Sequence, residues 1–468
     1  MQMNRRRFLK RCIGTAGAFV LSNRALQFSL GRPPNFVFIL VDDLGWRDVG
    51  YYVGYGFNGS TYYETPNINK LARQGMRFTD AYAACPVCSP TRASIMTGKY
   101  PARIHLTDWI HGHEDPDAKL LIPEWTHYMR TEEITIAEAL KAAGYATGHI
   151  GKWHLGDDPS YWPDNQGFDV NIGGWKLGYP SGGYFSPYEN PTLPDGPQGE
   201  YLTDREGMEA EKFIEQNKDR PFFLYLAHYA VHTPLQAKQD IIDKYMAKPP
   251  SPEHDNATYA AMIHSMDQAV GRVLDKLEQA KIAENTIVIF MSDNGGLLGA
   301  TDNTPLRGGK SQAYEGGIRE PMIIKWHGVV QAGSVCSEPV ISTDFYPTIL
   351  EMAGLPLKPQ QHRDGISLMP LLRQTGTLNR EAIYWHYPHY HINNTHGPFG
   401  AIRKGDWKLI EFFEEMNIEL YNLNSDLGEK TNLAAINPAK ATELRDMLYE
   451  WRVSVDAQMP TPNPDYNP

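Results

Sequence analysis

With 468 residues, 41% hydrophobic and 21% charged, the chain holds enough apolar material for one large globular domain and a smaller second one. Its formal charge is −11, and removing the six positive charges of residues 1–30, a stretch with no acid, leaves −17. A body that acidic excludes nucleic-acid binding by phosphate neutralisation, so an anionic substrate has to be drawn by a local positive site. Four cysteines, one of them at Cys12, exclude a disulfide framework.

The chain opens on a twin-arginine pattern, Arg5-Arg6-Arg7-Phe8-Leu9-Lys10, followed by the apolar run Cys12 to Leu21. Such a run is too short for a membrane span, so no transmembrane segment is expected. Residues 1–30 read as a bacterial export signal that sends the protein to the periplasm or the medium. A basic amphipathic helix lying on a membrane is the competing reading. No small-x-small cleavage site stands out before Arg32.

Between residues 35 and 330, apolar runs ending in polar residues alternate with helical patterns, which predicts a layered α/β sheet. Phe36 to Val41 runs into Asp42-Asp43, and Thr286 to Met291 runs into Ser292-Asp293-Asn294. Tyr145 to Ile150 leads to Lys152 and His154, and Phe222 to Leu226 leads to His228 and His232. Ligands of open α/β sheets sit outside the carboxyl ends of the strands, so these four groups are expected to meet in one crevice. Thr135 and Glu138 form a capping-box pattern, with Gly144 ending that helix. Tyr259, Ile263, Met266, Val270, Val273 and Leu277 predict a long amphipathic helix over 255–280, its methionines in the core. After Leu372 the pattern changes to short strands, Trp407 to Ile410 and Glu419 to Leu423, then a helix over 438–455. This predicts a catalytic domain over 33–372 and a small α+β subdomain over 373–457. The proline-rich stretch 458–468 reads as a disordered tail.

The most informative stretch is Cys88-Ser89-Pro90-Thr91-Arg92, continued by Thr97-Gly98-Lys99-Tyr100-Pro101-Ala102-Arg103. Ser89 suits a helix cap, Pro90 the first turn and Gly98 the end, which puts Cys88 at a helix N-terminus, a place that favours anions. Cys85 and Cys88 also form a C-x-x-C, open to a redox reading; a four-thiolate zinc site is excluded because no second cysteine pair exists. Asp42, Asp43, Asp293 and Asn294 offer only oxygen ligands, a set suited to Ca²⁺ or Mg²⁺.

The pattern C-x-P-x-R followed by T-G-x-Y-P-x-R resembles the two-part signature of the type I sulfatases, formylglycine-dependent enzymes of the alkaline phosphatase superfamily, and the match extends over 33–455. It is most similar to bacterial polysaccharide sulfatases and arylsulfatase A-like enzymes. The resemblance implies an alkaline phosphatase-like fold, a large mixed and mostly parallel sheet between helices, with a short antiparallel sheet and a helix in the C-terminal subdomain. It implies that Cys88 is oxidised to formylglycine (3-oxoalanine) by a formylglycine-generating enzyme or an anaerobic sulfatase-maturing enzyme. It also implies one calcium ion held by Asp42, Asp43, Asp293, Asn294 and an oxygen at position 88. Arg92, Lys152 and Lys310 match the family's cations, the last in G-G-K-x-x-x-Y-E-G-G-x-R-E-P. The roles carried over are a hydrated aldehyde at position 88 that attacks sulfur with help from Asp293, His232 and Lys310 as acids toward the departing alcohol, and His154 as the base that releases sulfate. A carbon bearing two hydroxyls explains the modification: one attacks, and the other later expels sulfate.

The segment Trp385-His386-Tyr387-Pro388-His389-Tyr390-His391 resembles a loop of bacterial polysaccharide sulfatases that reaches over the pocket. Its rings suit a sugar face, and His386 and His389 with His111, His113 and Arg403 are candidate sugar contacts. A metal-binding histidine tract or packing of the subdomain are the alternatives. The expected activity is hydrolysis of a sulfate monoester on a carbohydrate, such as a galactose or N-acetylgalactosamine sulfate of an algal or host glycan. A phosphonate monoester or phosphodiester hydrolase is the alternative within the superfamily, and a non-catalytic glycan-binding protein the alternative if Cys88 stays a thiol.

Overall fold

A computed structural model describes residues 32–50, 59–394 and 396–467, so the export-signal reading of 1–30 falls outside the described residues. The main sheet forms around β1 (Asn35–Val41), whose seven residues are all buried, as a central strand covered on both faces requires. Alternate side chains of β1 enter two cores: Val37, Ile39 and Val41 pack on one face, Phe36, Phe38 and Leu40 on the other. The first core is closed by α1 (Pro66–Gln74) and the helices Leu202–Asn217 and Ala257–Gln279. The second is closed by α2 (Cys88–Thr97) and the helices Ile136–Ala142 and Phe345–Met352.

The remaining strands are β2 (Met76–Tyr82), β3 (Leu120–Leu121), β4 (Ala146–Gly151), β5 (Val170–Ile172), β6 (Phe222–Ala227), β7 (Thr286–Ser292), β8 (Arg319–Lys325), β9 (Val335–Cys336) and β10 (Val340–Ile341). The main sheet runs β10-β2-β8-β7-β1-β6-β4-β5, with β9 beside β2. The run β7-β1-β6-β4-β5 is parallel, and β8 lies antiparallel to both β7 and β2. This is the mixed, mostly parallel sheet expected, and its four chemistry-bearing strands are adjacent.

The C-terminal part adds an antiparallel sheet of β11 (Ile383–Tyr387), β12 (Phe399–Lys404), β13 (Trp407–Phe412) and β14 (Asn417–Asn422), backed by the helix Pro438–Ser454. Three expectations change. Ile383–Tyr387 is a buried strand, so the pocket-facing loop begins only at Pro388. The tail carries structure up to residue 467: β15 (Thr461–Pro462) pairs with β3, and Asn463 Nδ2 donates to the carbonyls of Pro116 (3.0 Å) and Ala118 (2.8 Å). Ser89 does not cap α2; its Oγ accepts from the N–H of Ile110 at 3.2 Å, while Gly98 ends the helix in the left-handed conformation, φ 68°. The capping box of Thr135 and Glu138 forms, with Thr135 Oγ1 accepting from Glu138 N at 3.0 Å and Glu138 Oε2 from Thr135 N at 2.8 Å. No helix of the described residues is long and apolar enough to cross a membrane.

Candidate active site

Backbone bonds continue past the strand ends and hold the site loops in register. Asp42 N donates to Ala230 O (2.9 Å), Val231 N to Asp42 O (2.7 Å), Asp293 N to Val41 O (3.0 Å) and Lys152 N to Ala227 O (2.7 Å). The groups at the ends of β1, β7, β6 and β4 are therefore brought together, as their strand order demands. Asp43 and His154 both adopt positive φ, 60° in each, an unfavourable conformation for side chains with a Cβ that the surrounding bonds hold in place.

Cys88 begins α2 on the floor of the cleft, 3% exposed. Its Sγ lies 3.4 Å from His154 Nδ1. His154 Nε2 bonds the carbonyl of Ile110, and a carbonyl only accepts, so the proton sits on Nε2 and Nδ1 faces Cys88 bare. Burial, then Lys152, hold the His154 imidazole well below its usual range. Arg92, one turn into α2, donates through Nε to Asp293 Oδ2 at 2.8 Å and through Nη1 to the carbonyl of Lys152 at 2.8 Å.

The carboxylates and cations alternate. Lys152 Nζ is 2.6 Å from Asp42 Oδ2, Lys310 Nζ is 2.8 Å from Asp43 Oδ1, and Arg92 Nη2 is 2.8 Å from Asp293 Oδ2. Burial, then the neighbouring Asp293, raise the Asp42 carboxyl well above its usual range. Burial acts the same way on Asp43 but is outweighed by Lys310, His232 and Lys152, which hold it well below. His232 donates from Nδ1 to the carbonyl of Thr233 at 2.8 Å, which turns Nε2 toward Asp43 Oδ2 at 3.8 Å. Burial, then Lys310, keep this ring low as well.

Two oxygens in this cluster lack a hydrogen-bond partner although fully buried, Asp42 Oδ1 and Asn294 Oδ1. Asn294 commits its Nδ2 to Asp43 Oδ1 (2.7 Å) and to Gly295 O (3.1 Å), so its free oxygen is fixed in orientation. Buried acceptors left open are costly, and an all-oxygen set around them fits a hard divalent cation. Ligand atoms of Asp42, Asp43 and His232 also lie within 4.8 Å of one another, which brings His232 to the edge of a group that the sequence reading built from oxygens alone.

Above this cluster lies a cavity of about 480 Å³ whose wall includes Asp43, Cys88, His154, His232 and Lys310. Of the five candidate sugar contacts, His111 lines it, with Nε2 3.4 Å from Asp157. The other four do not. His386 is buried and bonds the carbonyl of Gln458 at 2.7 Å, and His389 is buried against Thr107 Oγ1 at 2.8 Å. Arg403 is engaged beneath the C-terminal sheet with Asp80 (2.7 Å) and Tyr82, and His113 is not part of the cavity wall. His386 lies on β11 and His389 just past it, and both face inward. The residues that do reach the cavity are His391, the last ring of the segment expected over the pocket, and Asn393, Trp109, Leu177 and Tyr179, and these last four the sequence reading missed. The only sequence signal for them was proximity: His391 closes the aromatic segment, and Trp109 precedes His111.

A mostly parallel sheet whose strand ends gather three buried carboxylates, a thiol at a helix N-terminus and three paired cations has the alkaline phosphatase-like fold that the sequence led us to expect. Comparison with known proteins narrows this. The Sulfatase family model matches residues 34–355, and the model for the N-sulphoglucosamine sulphohydrolase C-terminal region matches residues 309–454. The chain is 34% identical to a sulfatase of Formosa agariphila over 94% of its length and 92% of the relative's. It is 32% identical to arylsulfatase A of Homo sapiens, covering 87% of this chain and 85% of that protein. The crystal structure of Ps i-CgsB in complex with k-i-k-neocarrahexaose superposes with a TM-score of 0.76 at 32% identity, covering 93% of this chain and 95% of that one. The chain belongs to the sulfatase family, and its chemistry is the hydrolysis of sulfate esters.

Proposed function

We propose that the protein cleaves a sulfate monoester from a carbohydrate with formylglycine made from Cys88 as nucleophile and calcium as its metal. The observation that carries this reading is the placement of Cys88 on the cavity floor beside the bare Nδ1 of His154, 3.4 Å away. Asp42, Asp43, Asp293 and Asn294 would hold the ion, and the two unpartnered buried oxygens among them support it. Calcium supplies a fixed positive charge toward the sulfate oxygens, and formylglycine supplies a hydrated carbon with two hydroxyls.

The chain's own residues divide the remaining work. Arg92, pinned by Asp293 and the Lys152 carbonyl, presents its guanidinium behind position 88 without needing to reorient. Asp293 accepts from Arg92 and from the N–H of Asp43 at 3.3 Å, and its carboxylate takes up the proton released as position 88 is activated. His154 Nδ1 is the acceptor placed to remove the second proton at position 88 so that sulfate leaves. Lys310 flanks Asp43 on the cavity side as the donor of the one proton that the departing sugar oxygen takes up, and His232, whose Nδ1 proton is committed to Thr233, faces the same oxygen with Nε2 and shares that role only in its imidazolium form.

Sugar recognition is assigned to the aromatic and amide groups of the wall, Trp109, Tyr179, His391 and Asn393. The relative solved with a carrageenan-type oligosaccharide and the human N-acetylgalactosamine-6-sulfatase, 33% identical over 76% of this chain and 68% of that protein, support a sulfated galactose-type sugar. The twin-arginine start supports export to the periplasm or medium.

Mass analysis of the peptide spanning Cys88 tests the nucleophile: conversion lowers the mass by about 18 Da, and a fully active preparation that keeps its thiol overturns the proposal. Chelation followed by selective restoration with Ca²⁺ tests the metal. Paired aryl sulfate and aryl phosphodiester rates separate this reading from a phosphodiesterase.

A further inference from the structure

Resting on the carbohydrate reading above, we infer that the sugar ring bearing the scissile sulfate must be otherwise uncharged: a second sulfate or a carboxylate on that ring is what this cavity rejects. Lys310 is the only lysine or arginine on the cavity wall among the described residues, and both of its contacts, 2.8 and 2.9 Å, go to Asp43. Arg92 and Lys152 lie buried beneath, committed to Asp293, to the Lys152 carbonyl and to Asp42. All three cations are therefore committed at the floor, and the wall above them offers no further lysine or arginine among the described residues to a second anion.

The rest of the wall is built for a neutral ring. Trp109, Ile110, Leu177, Tyr179 and Leu297 give it aromatic and aliphatic faces. His391 is held as a neutral donor by geometry: its Nδ1 accepts from the N–H of Asn393 at 3.1 Å, which leaves the proton on Nε2. Burial, then Lys310, push the same ring down to about 4, in the same sense. Asn393 adds an amide, and His111 on the wall is already paired with Asp157 at 3.4 Å. Neutral donors and apolar faces recognise hydroxyls and the C–H faces of a pyranose, whereas a second anion would lose its water with no counter-charge to replace it.

The test compares kcat/KM at fixed ionic strength for galactose monosulfated at each position with the same rings carrying one further sulfate, and with matched galacturonate sulfates. The expected result is that, on each monosulfated ring that is cleaved, the extra anion lowers kcat/KM at least about tenfold. Asn393→Lys, which adds a cation to the wall, is expected to narrow that ratio at least about threefold. A wild-type enzyme that turns over the doubly anionic rings as fast as the singly anionic ones overturns this inference and leaves the carbohydrate reading standing. Rapid cleavage of an aryl sulfate with no release from any sugar overturns both.

Discussion

Which nitrogen of His154 faces Cys88 is decided by a backbone atom, the carbonyl of Ile110. That carbonyl is in turn held by loop 107–113, where Asp108 Oδ1 accepts from Trp109 N (2.8 Å) and from the Tyr387 hydroxyl (2.8 Å). Substituting His154→Ala removes the acceptor beside position 88, and kcat on an aryl sulfate is expected to fall by at least about 10²-fold with the fold unchanged by circular dichroism. A second residue-scale brace lies behind the metal-ligand loop. Asp48 accepts from Gly45 N (2.9 Å), Thr301 Oγ1 (2.8 Å) and the Tyr259 hydroxyl (2.8 Å). Tyr259→Phe deletes one donor to this buried carboxylate and is expected to cost about 1–2 kcal/mol in urea unfolding. Tyr259 shows where sequence reading stops: its helical spacing marked it correctly as core, but nothing in that spacing reveals that its hydroxyl reaches the loop after β1. Asp42 and Asp293 were legible because a carboxylate just past an apolar strand has few places to go. His386 and His389 were misread because a run of rings in sequence does not say which of them face inward; the pairing of β11 with β12 places His386, and the bond to Thr107 places His389.

At the scale of elements, the C-terminal sheet is anchored by ions as well as by apolar contact. Lys408 on β13 is fully buried between Glu315 (2.9 Å) and Glu429 (2.8 Å), and Arg319 joins Glu315 to Asp80, which also binds Arg403. Lys408→Met removes the cation between the two buried carboxylates, leaving Glu315 with Arg319 and Glu429 with no basic partner among the described residues, and a loss of about 3–5 kcal/mol in denaturant unfolding is expected. The tail is a second tie. Removing residues 458–468 deletes the β15–β3 pair and the two bonds from Asn463, and limited proteolysis between residues 112 and 121 is expected to speed up at least about threefold. The parallel strands and the Thr135 helix could be read from period and caps. The tail could not, because proline-rich composition argues against structure unless a partner strand is known, and β3 is only two residues long.

For the molecule as a whole, buried histidines tie stability to pH. His386 is pushed down to about 4 and His149 and His389 to about 3, burial being the first cause in each. The folded state refuses a proton that the unfolded chain accepts near pH 6.5, so these groups leave stability intact above that pH and withdraw it as pH falls toward 3. His386 alone accounts for about 3 kcal/mol between pH 6.5 and 4. His386→Phe is expected to flatten the wild-type loss of stability over that interval, measured by urea unfolding at each pH.

The order of strands in the main sheet also governs how the protein is made. β1 is the earliest strand among the described residues, yet it sits between β6 and β7, whose residues begin at 222 and 286. During synthesis, Phe36 to Val41 therefore emerge long before either neighbour exists, as a ribbon of apolar side chains with both edges open. Closure of the sheet waits for some 250 further residues, the separation of paired Asn35 and Thr286, and ribosome-bound fragments ending before Thr286 are expected to need a holding chaperone to stay in solution.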